Sequence, residues 1–389
     1  MTPACLDSLR LPKQREIRAR LFDKSIRLRY HTYGSVCCKD SYSVKRSLVM
    51  NLMALMKALF LMAILARQLP AQAEEGVIRL GIIGLDTSHV IAFTQIINNP
   101  KNNYGCKVVA GYSGGSPDMP ASADRVERFT SQLRDEFGVE IVETIEQLCE
   151  KVDGVLLESV DGRPHLKQVR PVIAAKKPVF IDKPVAASLA DVIEIFRLAE
   201  ENSVPCWSSS AFRYGQGIIG IQDNSDIGRV KSCDVFGSSS WAEHHPDLYL
   251  YGIHPVTALF AVMGTGCQKV TRFRTEDLDM VVGTWKDGRI GTFRDLRGGK
   301  SSASVRIYGI KGMIEAKSSG YKPLVDEIVR FFKTGEIPVS AEETIEIYAF
   351  MSAADISKAQ DGAAVSLEEL IEKTRRQNEE RRSQKAHRR

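Results

Sequence analysis

Short apolar runs alternate with amphipathic stretches through the first half of the chain, from Val77 to about Val204. The apolar runs have the length and composition of buried strands, and the stretches between them carry apolar residues at helical spacing. Strands are predicted at 77–83, 107–112, 139–142, 154–159 and 178–181, and helices at about 88–98, 123–137, from 144, 165–175 and 188–202. This alternation predicts a parallel, doubly wound sheet.

The pattern changes after Val204, where strands follow one another on short turns. Asp287-Gly288 is typical of a two-residue hairpin turn. Successive strands of this kind predict an antiparallel or mixed sheet in an α+β domain. The strands are expected at 229–236, 269–275, 279–285, 289–294 and 304–308, with closing helices at 324–334 and about 341–360.

An apolar run at 58–66 follows Lys57 and precedes Ala71-Gln72-Ala73. A basic start, an apolar run and a small-x-small site are typical of a secretory signal peptide, here 53–73, with Glu74 as the first mature residue. The run is short for a membrane span, although an uncleaved anchor stays open. We therefore expect an exported protein, periplasmic or extracellular, and interpret residues 1–49 as the product of an upstream start site.

Composition is that of a soluble globular protein, with 43% hydrophobic and 26% charged residues among 389. The net charge of +5 comes from basic stretches at 1–49 and 373–389. Neither stretch interleaves aromatic residues with its charges, so we expect solvated ends and no nucleic-acid partner. Five cysteines after Ala73, without a C-x-x-C, argue against a disulfide framework or a zinc site and predict buried thiols, although one disulfide stays open.

The first candidate for chemistry is the turn after the opening strand. A dinucleotide-binding unit has G-x-G-x-x-G here, so that backbone N–H groups approach a pyrophosphate at a helix N-terminus. Counted from Gly84, the second glycine position holds Asp86 and the third holds His89. Asp86, Thr87 and Ser88 are all suitable helix N-caps, so we expect the Asp86 side chain to cap the helix.

The second candidate is Asp182-Lys183-Pro184, directly after a predicted strand. Ligands of doubly wound sheets bind beyond the carboxyl ends of the strands. A lysine at that edge, followed by a proline able to hold a cis bond, suits a rigid catalytic position. A surface lysine in a tight turn is the alternative.

The order of these features resembles the glucose–fructose oxidoreductase, inositol dehydrogenase and MocA family (Gfo/Idh/MocA). Residues 176–184 are similar to the family signature (G)KHV-x-x-EKP, with Asp182 in place of glutamate. Gly252-Ile253-His254 is similar to its G-x-H. Further likeness lies in the opening strand and glycine turn, in 152–157 followed by His165, and in 227–230, 308–312 and 335–340. The resemblance extends from about residue 77 to 357.

The resemblance implies a Rossmann-type doubly wound parallel sheet at 74–205 and a C-terminal α+β domain with an open-faced, mostly antiparallel sheet at 206–361. A helical-to-disordered basic tail follows at 362–389. It also implies an NAD(P)-dependent oxidoreductase that transfers a hydride between nicotinamide and a hydroxyl-bearing carbon of a sugar or polyol. The cofactor would be NAD or NADP, and the second sheet would form a homo-oligomer interface.

The resemblance also assigns site residues. Lys183 and His254 are the implied catalytic residues, since they can move the hydroxyl proton and stabilise an alkoxide. Arg213 and Tyr251 are the implied substrate contacts, with a structural ion pair as the alternative for Arg213. No metal is expected. The implied cofactor contacts are Gly81, Gly84, Asp86, Thr87, Ser88, His89, Ser113, His165, Asp182 and Pro184.

Several positions depart from the family pattern. Leu250 and Thr257 stand where the family commonly has aspartates around its histidine, and strand two ends near Ser113 without an acid or arginine for the ribose. Residues 243–247 carry a polar cluster without fixed ligand spacing, which favours a substrate-facing loop over a metal site. The departures keep a second class of function open: a sugar-binding or scaffold protein that retains the fold without redox turnover.

Overall fold

A computed structural model describes residues 76–237, 244–296 and 303–387. The expected leader and signal segment, 1–73, and Glu243 of the polar cluster lie outside the described residues. Within them, no helix has the length and apolarity needed to cross a membrane.

The first sheet is parallel and has six strands in the order β3-β2-β1-β4-β5-β6. This is the strand order of a doubly wound dinucleotide-binding fold, with the switch point between β1 and β4. β6 lies beyond residue 205, where the second domain was expected to begin. The strands are β1 (Ile78–Ile83), β2 (Cys106–Tyr112), β3 (Glu140–Val142), β4 (Gly154–Leu157), β5 (Val179–Asp182) and β6 (Cys206–Ser209).

Five helices connect these strands, and side chains fix the start of three of them. Thr87, Thr144 and Ser188 each accept a hydrogen bond from a backbone N–H in the following turn. The helices are α1 (Ser88–Ile97), α2 (Pro120–Phe137), α3 (Ile145–Lys151), α4 (His165–Ala174) and α5 (Leu189–Glu201). Their starts and ends lie within a few residues of the predicted ones.

The second sheet has seven strands in the order β12-β11-β7-β10-β9-β8-β13. Only the β7–β10 pair is parallel, so the sheet is mostly antiparallel, as expected. Its strands are β7 (Val230–Gly237), β8 (Cys267–Arg274), β9 (Leu278–Trp285), β10 (Ile290–Leu296), β11 (Ser304–Gly309), β12 (Met313–Ala316) and β13 (Val365–Ser366). The predicted hairpin turn at Asp287-Gly288 joins β9 to β10.

Helices α6 (Ile253–Met263) and α8 (Ala341–Ala359) pack against the inner face of this sheet. A further helix, α7 (Lys322–Thr334), instead packs on the first sheet beside α1, where Leu324 and Ile328 join the core that contains Val90 and Phe93. A late segment of the chain therefore completes the core of the first sheet. Trp207 is fully buried in this core.

The basic tail forms a helix, α9 (Leu367–His387), and does not extend freely into solvent as expected. Asn378 donates to the Ala190 carbonyl and Arg382 pairs with Glu194, so the helix is fastened to α5. The five cysteines are free and buried, which confirms the interpretation as buried thiols and leaves no disulfide among the described residues.

Candidate functional site

The carboxyl ends of β1, β4 and β5 meet at one edge of the first sheet, because these strands are neighbours. Lys183 follows β5 there, is buried, and is joined to Pro184 by a cis peptide bond. Its Nζ lies 5.8 Å from the centre of the Tyr251 ring. Burial lowers the pKa of Lys183, and the Asp182 carboxylate partly offsets this. Lys183 borders a small cavity with Ser208, Ser209, Ile253, Thr257 and Tyr348.

His254 lies in the first turn of α6, and its ring packs on Phe212 with 5.2 Å between centroids. Its Nδ1 is 2.7 Å from the Ser210 hydroxyl oxygen. Burial, together with the nearby Lys183 ammonium, holds the pKa of His254 well below its ordinary value. His254 is therefore neutral near pH 7 and close enough to Lys183 to be affected by its charge.

The neighbours of His254 differ from the family pattern in the way that the sequence indicated. Leu250 is buried with Met119 and Val160, and the Thr257 hydroxyl donates to the Ile253 carbonyl at 2.7 Å. Neither supplies a carboxylate to His254. Ser210 supplies the observed contact, and sequence reasoning missed it, since nothing in a run of three serines singles out the third.

The glycine turn is built for close packing within the protein. Gly84 has φ +86°, and a Cβ added to it would lie 2.4 Å from Cα of Ser159, so only glycine fits. Gly81 was expected to contact the cofactor, but it lies inside β1, where an added Cβ would lie 2.9 Å from Cγ of Leu148. Gly81 therefore admits α3 against the sheet, and this close packing accounts for the glycine without a cofactor.

Asp86 does not cap α1, contrary to the expectation. Thr87 is the N-cap, and the buried Asp86 carboxylate turns away from the helix. Its Oδ1 accepts from the Val160 N–H at 2.9 Å, and its Oδ2 accepts from the Ser122 hydroxyl at 2.6 Å. Burial nevertheless raises the pKa of Asp86. Ser88 remains exposed at the helix N-terminus.

His89 and Asp182, assigned separately to the cofactor, contact each other. His89 Nδ1 lies 2.6 Å from Asp182 Oδ2, and both side chains are buried. The His89 ring packs between Phe93 and Tyr321, with centroid distances of 5.1 and 4.9 Å. Both residues depart from the family pattern, and this was the signal available in the sequence. The sequence did not reveal their contact, because 93 positions separate them.

His165 was also expected to bind the cofactor, and its environment argues otherwise. The ring is fully buried, with Nδ1 3.1 Å from the Val185 carbonyl and Nε2 2.9 Å from the Ser159 carbonyl. Both nitrogens face backbone carbonyls in the protein interior, so the ring does not present either nitrogen to a ligand. His165 holds the segment after β4 to the segment after Pro184.

Residues 113–119, between β2 and α2, form a segment that we call the strap. Ser116 donates to Asp161 at 2.6 Å, and Arg163 makes a bidentate ion pair with Asp118 at 2.7 and 2.8 Å. Since β1 lies between β2 and β4, contacts from the strap to Asp161 and Arg163 cross the carboxyl end of β1. The strap therefore covers the switch-point crevice. Ser113 lies at its start, where its carbonyl accepts from the Leu85 N–H.

The polar cluster at 243–247 is divided among different partners. His245 Nε2 accepts from the Gly162 N–H at 3.2 Å, His244 is 3.7 Å from Asp118, and Asp247 pairs with Arg272. Among the described residues, no group of three or more His, Cys, Asp and Glu side chains is arranged to hold a metal. The loop instead joins the second domain to the strap and to the segment after β4.

Arg213 does not face Lys183. Its guanidinium pairs with Glu343 at the start of α8, and it borders a cavity that also touches Pro323 and Asp326 of α7. This is the structural ion pair that the sequence left as the alternative. Of the two implied substrate contacts, only Tyr251 lies next to Lys183.

The residues at the switch point offer groups of the kind that bind a dinucleotide. The N-terminus of α1 presents Ser88 to solvent, and unpaired N–H groups at such an end bind phosphate. Gly114 and Gly115, with φ of +59° and +108°, give the chain after β2 a compact turn beside Gly84. Ser116 and Asp118 of the strap contact Asp161 and Arg163, which follow β4 on the other side of β1 from this turn.

Comparison with known proteins agrees with this geometry. Residues 78–210 match the model of an oxidoreductase family with an NAD-binding Rossmann fold. No curated protein matches the chain.

Solved structures match over most of the chain at low identity. An oxidoreductase from Thermotoga maritima is 17% identical, with 76% of this chain and 99% of that one covered and a TM-score of 0.61. An oxidoreductase from Agrobacterium radiobacter, in complex with NAD+, L-tartaric acid and magnesium, is 16% identical, with 75% and 99% covered and a TM-score of 0.59. Scyllo-inositol dehydrogenase from Lactobacillus casei, with bound NAD(H) and scyllo-inositol, is 15% identical, with 75% and 99% covered and a TM-score of 0.60. At these identities the likeness establishes the fold.

Proposed function

Because residues 78–210 belong to the Gfo/Idh/MocA oxidoreductase family, with its NAD-binding Rossmann fold, we propose that this protein is an NAD(P)-dependent oxidoreductase. Its reaction would be hydride transfer between the nicotinamide and a hydroxyl-bearing carbon of a sugar or polyol. The observation that carries the proposal is the position of Lys183. It is a buried lysine at the carboxyl end of β5, beside Tyr251 and within electrostatic reach of His254.

Lys183 and His254 are suited to move the proton of a substrate hydroxyl. An alcohol must lose this proton as its carbon is oxidised, and a lysine with a lowered pKa is more often unprotonated near neutral pH and so available to accept it. Burial has this effect on Lys183. The neutral imidazole of His254 offers a second proton acceptor, and the Ser210 hydroxyl fixes the ring through Nδ1. A charged Lys183 also stabilises an alkoxide.

The cofactor, when bound, supplies the hydride acceptor or donor. The N-terminus of α1 with Ser88 would hold its phosphates, and the turn at Ser113, Gly114 and Gly115 would face the adenosine end. The turn has no acid to select the ribose 2′-hydroxyl of NAD and no arginine to select the 2′-phosphate of NADP. The proposal therefore includes both cofactors.

The substrate class rests on the family resemblance and on the scyllo-inositol in the structure of the Lactobacillus casei enzyme. Tyr251 is the substrate contact that we retain, because its ring lies beside Lys183. Export through the signal segment, and assembly into a homo-oligomer through the second sheet, are parts of the same proposal.

The test is a titration of the purified full-length protein with NADH and NADPH, followed by cofactor fluorescence. Saturable binding is expected, and no binding at millimolar cofactor would refute the proposal. Turnover is then measured on a panel of polyols and aldoses. Lys183→Ala should lower kcat by about 100-fold or more while leaving the cofactor dissociation constant within about threefold. The exposed Lys167→Ala is the matched control and should behave as the wild type.

A binding protein without redox turnover is the second candidate, and the strap supports it. Ser116, Asp118 and Arg163 close the crevice with contacts inside the protein, and the Asp86 carboxyl lies beneath it. This candidate predicts that sugars or polyols bind, by calorimetry, whereas NADH and NADPH do not. The titration above separates the two functions.

A further inference from the structure

Two departures from the family pattern, His89 in place of a glycine and Asp182 in place of a glutamate, are a contacting pair. We propose that His89 is a positioning residue, which holds the Asp182 carboxylate beside Lys183 and thereby supports the charged form of the lysine. The role of Lys183 in catalysis rests on the proposed function. The dependence of Lys183 on His89 can be tested without turnover.

The position of the His89 ring fixes the orientation of the Asp182 carboxylate. Its Nδ1 lies 2.6 Å from Asp182 Oδ2, and 9% and 2% of the two side chains are exposed. Phe93 stacks on one side of the imidazole at an interplanar angle of 22°, and Tyr321 meets it edge-on at 64°. A ring clamped in this way fixes the direction of its Nδ1 and hence the orientation of the bonded oxygen.

The contact between His89 and Asp182 connects α1 with the end of β5, which strand pairing in the first sheet does not bring together. His89 is in the first turn of α1, which follows β1, and Asp182 ends β5, with β4 between those strands. A glycine at position 89 would have no side chain to reach β5. The histidine therefore links the expected phosphate-binding turn directly to the residue that precedes Lys183.

The charges at this edge explain why the pair is needed. Burial opposes ionisation of Asp182, but His89 and Lys183 outweigh it and hold the pKa of Asp182 below its ordinary value. Glu158, next along the sheet, is fully buried, and neither of its oxygens has a hydrogen-bond partner among the described residues. Burial, with Asp182 and Asp86 nearby, raises the pKa of Glu158 well above its ordinary value, so Glu158 stays neutral.

Asp182 is therefore the carboxylate at this edge that supports the Lys183 charge. Removing the donor at His89 leaves a buried carboxylate that takes up a proton more easily, and Lys183 then loses its partner. The other titratable groups that face the pair from the surrounding elements are Arg125 on α2, His165 on α4, His254 on α6, Tyr321 before α7 and Tyr348 on α8.

The experiment measures the ionisation of Lys183 in the folded full-length protein. An amine-reactive reagent labels the protein across a pH series, and peptide mass spectrometry gives the labelling rate at Lys183. Asp182→Asn and His89→Ala should each move the labelling midpoint to lower pH by about one pH unit, a tenfold change in the ionisation ratio. His89→Asn keeps a donor near the position of Nδ1 and should label close to the wild type.

A His89→Ala midpoint equal to that of the wild type would overturn the inference, and so would a His89→Asn midpoint equal to that of His89→Ala. If a variant folds too weakly for the labelling experiment, a double-mutant cycle of thermal unfolding midpoints tests the same contact. His89→Ala/Asp182→Asn should lose less than the sum of the single losses, because each single change leaves a buried partner unpaired. Additive losses would count against a coupled pair. Failure of cofactor binding would instead refute the proposed function, with the midpoints of Lys183 unaffected.

Discussion

Single residues at the site owe their protonation states to burial. Lys183, His254 and Glu158 are each held nearer to neutrality than in water, whereas Asp182 remains ionised through its contacts. Groups that favour opposite protonation states within one site are typical of acid–base machinery.

Glu158→Gln tests the neutral state of Glu158. Its pKa is raised in the folded protein, so the unfolded chain releases this proton first, above about pH 4.3. The carboxyl therefore costs stability as pH rises above that value, up to the folded pKa. We expect Glu158→Gln to match the wild type in thermal midpoint at pH 4 and to exceed it at pH 8.

The measurement is a series of thermal unfolding curves from pH 4 to 8. Glu136→Gln, an exposed change on α2, is the control and should show no trend with pH relative to the wild type. If Glu158→Gln loses stability at pH 8, the carboxylate is ionised and has a partner, contrary to the interpretation.

At the scale of elements, the strap is the segment that lies across the switch point. It leaves β2, crosses the end of β1 and is fastened by Arg163 and Asp161. Burial alone would raise the pKa of Asp161, but the neighbouring His245 ring and the hydrogen bonds from Arg163 and Ser116 outweigh it and hold this pKa well below its ordinary value. The contact of the strap with Asp161 is therefore the stronger of the two. The ion pair between Asp118 and Arg163 is weaker, because Asp118 is half-exposed.

Asp118→Asn should speed cofactor association, because it removes the charge that pairs with Arg163. We expect a severalfold higher association rate for NADH in stopped-flow fluorescence, with a smaller difference at high salt, where exposed ion pairs are screened. Asp124→Asn, exposed on α2, is the matched control. Equal rates in all three proteins would show that the strap does not limit association.

At the scale of the whole molecule, Arg272 joins the loop of the polar cluster to the second sheet and α8. Its side chain is fully buried and contacts Asp279, Asp355 and Asp247 at 2.8, 2.5 and 3.0 Å. Asp247 lies four residues before Tyr251, so the network also supports the segment that faces Lys183.

Arg272→Met should destabilise the protein by about 3–5 kcal/mol, because it removes the buried cation that contacts Asp279, Asp355 and Asp247. Urea unfolding at pH 7 measures the loss. Arg306→Met is the control, since its pair with Glu315 is exposed and distant, at 3.8 Å, and should cost about 1 kcal/mol or less. A loss below 1 kcal/mol for Arg272→Met would refute the structural role.

The outer face of the second sheet leads to a prediction about assembly. Phe273 is 59% exposed there, opposite Met280 in the register of β8 and β9. If the proposed homo-oligomer uses this face, Phe273→Glu should lower the molar mass measured by light scattering after gel filtration. Ile219→Glu, at a position that is 62% exposed and outside the sheets, should leave it unchanged. An unchanged mass for Phe273→Glu would place the interface elsewhere.

Much of the fold follows from local patterns. Apolar runs of strand length and helices with polar caps predicted β1 to β5 and α1 to α5 closely, because each depends on neighbouring residues. β6, β12 and β13 were not predicted, since β6 and β12 lack a continuous apolar run and β13 has only two residues. The docking of the basic tail was also missed, because Glu194 and Ala190 lie far away along the chain.

The sequence by itself determined the two sheets, the position of Lys183 at the carboxyl end of a strand, and the resemblance to an oxidoreductase family, because these depend on periodicity and on motifs in a fixed order. Only the tertiary structure decided what the motif residues contact. It turned Asp86 away from the helix, joined His89 to Asp182 and paired Arg213 with Glu343. The physical reason is that hydrogen bonds and ion pairs depend on distance in space, and residues separated by about a hundred positions meet only when the sheet and its helices are packed.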